Sequence, residues 1–169
     1  TASVYADWLQ GQGDPRGELA ALLQRGCEAE ASAHLAAHGE ALLGDLEASL
    51  DSEVCGLVWQ HGFLAGPSLR RTGIDSSTDL AELTATFLAL PLTRFLTALR
   101  FGLASYESDN DWSETLRAVV ESPRGPHIRD LRFDDYTGED CEISWTPFGD
   151  FSPFWPHLPS LEHLHIRSG

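Results

Sequence analysis

Three segments of the chain share one pattern: an aliphatic residue, two variable residues, Leu, one variable residue and a final apolar residue. They are Leu96-Thr97-Ala98-Leu99-Arg100-Phe101, Ile128-Arg129-Asp130-Leu131-Arg132-Phe133 and Leu161-Glu162-His163-Leu164-His165-Ile166. Their starts lie 32 and 33 residues apart, and a proline sits five positions before each: Pro91, Pro123 and Pro156. A fixed period of this length is the mark of stacked units, each burying its apolar face only against its neighbours. Counting back one period from Leu96 reaches Leu64, with Pro67 and Leu69 at the later apolar positions, which reads as a degenerate first unit.

Between these segments the apolar spacing changes to that of a helix. Asp79 to Leu90 places Leu80, Leu83, Phe87 and Leu88 on one face, and Trp112 to Glu121 does the same with Leu116, Val119 and Val120. Thr78 and Asp111 are the expected caps. The interval from Cys141 to Pro159 holds Pro147, Pro153, Pro156 and Pro159, which predicts short turns in place of a third long helix. The first 50 residues are helical in texture throughout, with Asp14-Pro15 as a helix start and Gly11, Gly26 and Gly39 as breaks. Val54 to Trp59 reads as β-prone. The expected fold class is α/β: a helical module over 1–50, then a solenoid over 51–169 with parallel strands near 64–69, 96–101, 128–133 and 161–166.

The Leu-x-x-Leu-x-Leu segments resemble the strand portion of leucine-rich repeats, with units longer than usual and without the asparagine that commonly follows the strand. Val4-Tyr5-Ala6-Asp7-Trp8-Leu9 followed by Gly13-Asp14-Pro15-Arg16-Gly17-Glu18 resembles the bacterial repeat-companion domain, a short module found beside leucine-rich-repeat-like regions. Trp59-Gln60-His61-Gly62-Phe63 is similar to the Trp-x-x-Gly-Phe element that opens the repeats in such proteins. The resemblance implies a bacterial binding or scaffolding role by analogy and supplies no catalytic residues.

Charge narrows the function classes. A formal net charge of -15 opposes sequence-independent binding of nucleic acid, which needs clustered Lys and Arg to displace counterions. The acidic runs Glu107 to Asp111 and Asp134 to Glu142 read first as solvated loops. No apolar run approaches the roughly 20 residues that span a bilayer. Cys27, Cys55 and Cys141 are odd in number and form no Cys-x-x-Cys pair, so buried free thiols in a reducing, cytoplasmic setting are expected. A chain opening on Thr1 and stopping at Gly169 just after a strand-like segment reads as truncated at both ends.

Candidate sites follow from strand alternation. If Leu99 and Phe101 point inward, Ala98 and Arg100 face out, as do Asp130, Arg132 and Asp134, then His163, His165 and Arg167. Arg100, Arg132 and His165 thus form a ladder on the concave face, able to receive a carboxylate or phosphate by charge-assisted hydrogen bonds. The plainer reading is that the arginines neutralise Asp130 and Asp134. Trp145 and Trp155, grouped with Phe148, Phe151 and Phe154, read either as the back of the third unit or as a docking patch. Asp7 and Trp8 read as a polar partner and a core anchor.

Assembling His157, His163, His165 and Cys141 into a zinc site lacks converging ligands, and the acidic run lacks the glycine and glutamate of a calcium loop. No phosphate-cradling glycine loop or nucleophile elbow stands in a convincing context. The expected function is a non-catalytic protein-protein interaction scaffold, with no cofactor and no metal. A structural subunit of a larger complex and a metal-dependent hydrolase are the alternatives.

Overall fold

The structure, a computed structural model, describes residues 2–44, 46, 55–57, 59–60, 63–70, 79–105, 110–141, 146 and 149–167. Four helices open the chain: α1 (Ala2–Gly11), α2 (Pro15–Gln24), α3 (Glu28–Ala37) and the single turn α4 (Gly39–Leu43). The start of α2 follows from its sequence. Asp14 caps it by accepting the Arg16 amide at 3.0 Å, and Pro15 occupies the first turn, where an N–H is not required. Gly17 then lets α1 lie close, since a Cβ there would come within 2.9 Å of the Ala6 carbonyl oxygen. Both Gly13 and Gly26 take positive φ in the turns that follow α1 and α2.

The second half alternates strand and helix. In chain order it comprises β1 (Cys55–Gly56), β2 (Trp59–Gln60), β3 (Phe63–Leu64), β4 (Ser68–Leu69), α5 (Leu80–Ala89), β5 (Ala98–Phe101), α6 (Ser113–Glu121), β6 (Asp130–Phe133) and β7 (His163–Ile166). The main sheet has the order β1-β4-β5-β6-β7, with β4 to β7 mutually parallel and β1 antiparallel at the edge. β2 and β3 form a separate antiparallel pair. The architecture is therefore α/β: N-terminal helices, then a four-strand parallel sheet with interleaved helices. The degenerate unit near 64–69 divides, because only Ser68 and Leu69 join the parallel ladder, against Arg100 and Phe101.

Local chemistry explains how each unit turns. Leu90 and Ser122, the residues before Pro91 and Pro123, leave the helical region with ψ of 138 and 146, ending α5 and α6. Short 3-10 turns follow at Pro91–Phe95, Gly125–His127 and, before β7, Trp155–His157. Leu96 and Ile128, the first apolar residues of the pattern, sit at the exits of these turns and are buried. The pattern's first position is thus a turn anchor, and the strand begins two residues later. Asp79 caps α5, accepting amides of Ala81 and Glu82 at 2.7 and 3.0 Å. Thr78, the expected cap, lies outside the described residues, as do Trp145, Phe148, His61, Gly62 and the acidic stretch 107–109.

The core runs without a break from the N-terminal helices into the sheet. Leu19, Leu22 and Leu42 join Leu64, Leu69, Leu99, Phe101, Leu131 and Phe133 in one cluster, closed from the helical side by Leu83, Phe87, Leu116 and Val119. Fully burying a side chain of this kind stabilises the fold by about 1.5–3 kcal/mol. Phe101 stacks on Phe133 with ring centroids 5.3 Å apart, and Trp112 meets Phe133 edge-on at 5.8 Å. The Trp112 indole N–H donates to the Gly102 carbonyl at 2.9 Å, so this fully buried ring leaves no polar atom unpaired.

Trp8 departs from its expected role as a core anchor. It is 57% exposed, because α1 turns Ala6 and Leu9 inward and leaves Trp8 stacked on Tyr5 outside. Asp7 is exposed as well. Cys27 and Cys141 are half-buried, not fully so.

The matched positions Leu131 and Leu164 test this account. Leu131 is fully buried between β5 and β7, whereas Leu164 on the outermost strand is 40% exposed. Leu131→Ala is expected to cost about 2–5 kcal/mol and Leu164→Ala roughly 1 kcal/mol or less. Urea midpoints at constant m-value measure both.

Candidate functional site on the exposed sheet face

Helices α5 and α6 cover one side of the parallel sheet, and polar side chains cover the other. Register places Ser68, Arg100, Arg132 and His165 in one row across β4 to β7, and Ala98, Asp130 and His163 in the row before it. Adjacent strands lie about 4.8 Å apart, so each row is a ladder of closely spaced side chains. The structure thus brings Arg100, Arg132, His163 and His165 onto one face, while Leu99, Phe101, Leu131 and Phe133 point into the core.

The cations of this face are paired. Arg100 Nε donates to Asp134 at 2.6 Å, and a second guanidinium nitrogen lies 3.4 Å from Asp135. Arg132 grips Asp130 with two nitrogens, Nε at 2.9 Å and the terminal nitrogen at 2.8 Å. His165 Nε2 is 3.5 Å from Asp134, Arg70 is 3.8 Å from Asp135, and the Ser68 hydroxyl donates to Asp135 as well. Arg167 turns back over the Tyr136 ring at 5.3 Å and donates to the Tyr136 carbonyl at 2.6 Å, while the Tyr136 hydroxyl donates to the Arg167 carbonyl.

Among the described side chains Arg70, Arg100 and Arg132 face Asp130, Asp134 and Asp135, three charges of each sign. In a chain of net charge -15, this face stands apart. Each bridge is accessible to water and worth at most about 1 kcal/mol, so the pairs orient the guanidinium groups while leaving them exchangeable. The Arg132 guanidinium, hydrogen-bonded to Asp130, holds that carboxyl below its ordinary range, against a smaller opposing push from burial.

A shallow cavity of about 500 Å³ opens in the face. Gly66, Pro67, Ala98, Arg100, Asp130 and Arg132 are among the residues that line it. A Cβ on Gly66 would sit 3.3 Å from the Ala98 Cβ, a tight contact that asks its neighbour to move by a few tenths of an ångström. One residue past the end of β5, a Cβ on Gly102 would come within 2.6 Å of the Arg70 Cβ, so glycine is what brings the two chains together at that end.

The aromatic group of the third interval takes a different place. Phe151 and Phe154 are buried, Phe151 lying 5.4 Å from Phe133, while Trp155 is 40% exposed and packs edge-on against Phe151. Most of the described part of that group backs the sheet, and Trp155 alone of it reaches the surface. His157, His163, His165 and Cys141 are not brought together: among the described residues no cluster of three or more His, Cys, Asp or Glu side chains could hold a metal ion. Also among the described residues, no helix is long and apolar enough to cross a membrane.

Ser68, Arg70 and Asp135 were not singled out by the pattern, although all three belong to the face. Arg70 and Gly102 are one 32-residue period apart, and that spacing was the signal that could have found Arg70. Asp135 was hidden by its setting in an acidic run that reads as loop. It lies on the face because the backbone shifts by one residue after β6, the Asp135 amide donating to Phe101 at 3.0 Å. No protein-family model, curated protein or solved structure matches the chain.

Because the folded-state pKa of Asp130 lies below its unfolded value, its pairing stabilises the fold above about pH 4 and that stabilisation is lost as pH falls through the folded value. Arg132→Ala is expected to raise the Asp130 pKa towards the ordinary carboxylate range. A carboxyl-carbon NMR titration of wild type and variant reads the shift directly, and an unchanged Asp130 curve would refute Arg132 as its cause.

Proposed function

We propose that this chain is a non-catalytic protein-binding module whose partner docks on the exposed face of β4 to β7. The observation that supports it most is the in-register row Ser68, Arg100, Arg132 and His165, set beside a cavity on a face left open by every described helix. The partner segment carries carboxylates. They exchange with Asp130, Asp134 and Asp135 for the guanidinium groups, and an apolar side chain enters the cavity between Ala98 and Arg100. Exchange costs little because the internal bridges are individually weak, and specificity comes from matching the two rows.

In this reading the strand and helix units form a short leucine-rich-repeat-like solenoid, with its concave side as the binding face. The 32- and 33-residue spacing supports that arrangement, as does the parallel ladder it produces. Helices α1 to α4 act as the N-terminal cap and correspond to a repeat-companion module, supported by Tyr5-Ala6-Asp7-Trp8-Leu9 and Gly13-Asp14-Pro15-Arg16. Half-buried free thiols at Cys27 and Cys141 fit a reducing compartment.

Replacing Arg100 and Arg132 together by alanine leaves Arg70 against Asp130, Asp134 and Asp135 and makes the face negative. Affinity capture from the native cell extract, with both proteins as bait and circular dichroism as the folding control, is the test. A partner held by wild type and lost by the double variant is the expected result. A partner held equally by both would refute the sheet face as its site.

A further inference from the structure

The cavity on the sheet face has its cause in the sequence. The Ala98 amide donates to the Ala65 carbonyl at 3.2 Å and the Arg100 amide to the Pro67 carbonyl at 3.0 Å, so the parallel pairing runs back beyond the start of β4. That pairing sets Gly66 beside Ala98, close enough for a Cβ on Gly66 to lie 3.3 Å from the Ala98 Cβ. Two neighbouring positions of one row thus carry no side chain beyond Cβ, and the row continues with Asp130. The next row, about 6.6 Å further along the strands, holds Arg100 and Arg132. Small residues beside long ones leave the depression of about 500 Å³ that all five of these residues line.

Three chemistries meet in this one cavity. Gly66, Pro67 and Ala98 offer apolar surface, Arg100 and Arg132 offer guanidinium groups, and Asp130 offers a carboxylate. The two arginine side chains are 46% and 48% exposed, so their heads are open to a ligand. Arg132 cannot turn to one without loosening its hydrogen bonds to Asp130, and Asp130 then takes a donor from the ligand in their place. A ligand that fits therefore brings an apolar group, an anion and an N–H within the width of a single cavity. The last residue of a polypeptide carries all three, in its side chain, its α-carboxylate and its amide.

We infer that the cavity receives the C-terminal residue of a partner protein, an apolar residue with a free α-carboxylate, an inference that rests on the sheet face as the docking surface. The side chain lies over Gly66 and Ala98, the α-carboxylate takes charge-assisted hydrogen bonds from Arg100 and Arg132, and the amide N–H donates to Asp130. An α-carboxylate is fixed by the backbone and adds no rotatable side chain of its own. An internal segment would have to immobilise a second side chain, an aspartate or glutamate, to present the same anion beside the same apolar group, at a cost in entropy. A free amino acid carries matching groups, but sites for small molecules enclose most of their ligand, and this cavity is shallow. A protein end has the remainder of its chain to lay across the face.

Three short glycine-serine peptides serve as probes of the whole chain: one ending in leucine with a free carboxylate, the same peptide amidated, and an amidated peptide with an internal leucine two positions before an aspartate. The free-acid peptide is expected to bind about tenfold or more tightly than its amide and to shift the Arg100 and Arg132 guanidinium NMR resonances. Arg100→Ala with Arg132→Ala is expected to erase the difference between acid and amide. Ala98→Leu, which fills the depression, is expected to erase the preference for a terminal leucine over a terminal glycine, with circular dichroism confirming the fold. Equal binding of acid and amide, internal-aspartate binding as tight as that of the free acid, or no binding of any of the three would each overturn the inference. So would free leucine binding as tightly as the peptide, which would make the cavity an amino-acid site. A partner captured from extract through Arg100 and Arg132, yet not displaced by saturating free-acid peptide, would overturn the inference while leaving the sheet face as the docking surface.

Discussion

Register between β5 and β6 is the constraint on which the rest of the structure depends. Leu99 pairs with Leu131 and Phe101 with Phe133, and the two phenyl rings stack in the middle of the core. A slip of one residue would turn one strand over against the other, carrying Arg100 or Arg132 inside and one of the two rings out, a change no core of this kind tolerates. Trp112 reinforces the same register from α6. Its ring lies against Phe133 and its N–H is bonded to Gly102, so strand, following loop and helix are fixed by one side chain. Because the inward set is fixed, the outward set is fixed with it. The charged rows of the exposed face are a consequence of burying the aromatic pair.

Much of the fold was legible because it rests on spacing. A strict repeat of apolar positions gave the parallel strands, their order along the chain and the helices between them, and the prolines gave the turns. The first position of each pattern was less transparent. Leu96 and Ile128 look like strand residues in sequence, but the preceding proline-bearing turns use them as anchors, so the strands start at Ala98 and Asp130. The first unit was harder still, since Pro67 occupies a position that is Leu in the later units and leaves only Ser68 and Leu69 to pair in parallel.

The candidate face was legible to the extent that alternation reaches. Arg100, Arg132, His163 and His165 follow from a period of two within each strand. Their partners do not. Whether an arginine on such a face stands free or grips Asp130 depends on rotamers that spacing does not encode, and the place of Asp135 depends on a one-residue shift after β6 that no propensity signals. Trp8 shows the complementary limit. A tryptophan at helical spacing is ordinarily an anchor, but α1 rests on α2 through Gly17, and that close approach rotates Ala6 and Leu9, not Trp8, into the interface.

A strongly acidic chain is at first sight a poor receptor for carboxylates, and the resolution lies in range. At physiological ionic strength the Debye length is about 8 Å, so an approaching segment responds to the charges within one or two strand spacings and little beyond. Glu82, Glu114 and Glu121 line the groove between α5 and α6 on the far side of the sheet. A helix is about 10 Å across, which puts more than a Debye length between those acids and the open face. Under the proposed reading, a docking segment meets Arg70, Arg100, Arg132, His163 and His165 against Asp130, Asp134 and Asp135. Under the proposed reading, the local rows and not the distant acid decide what binds.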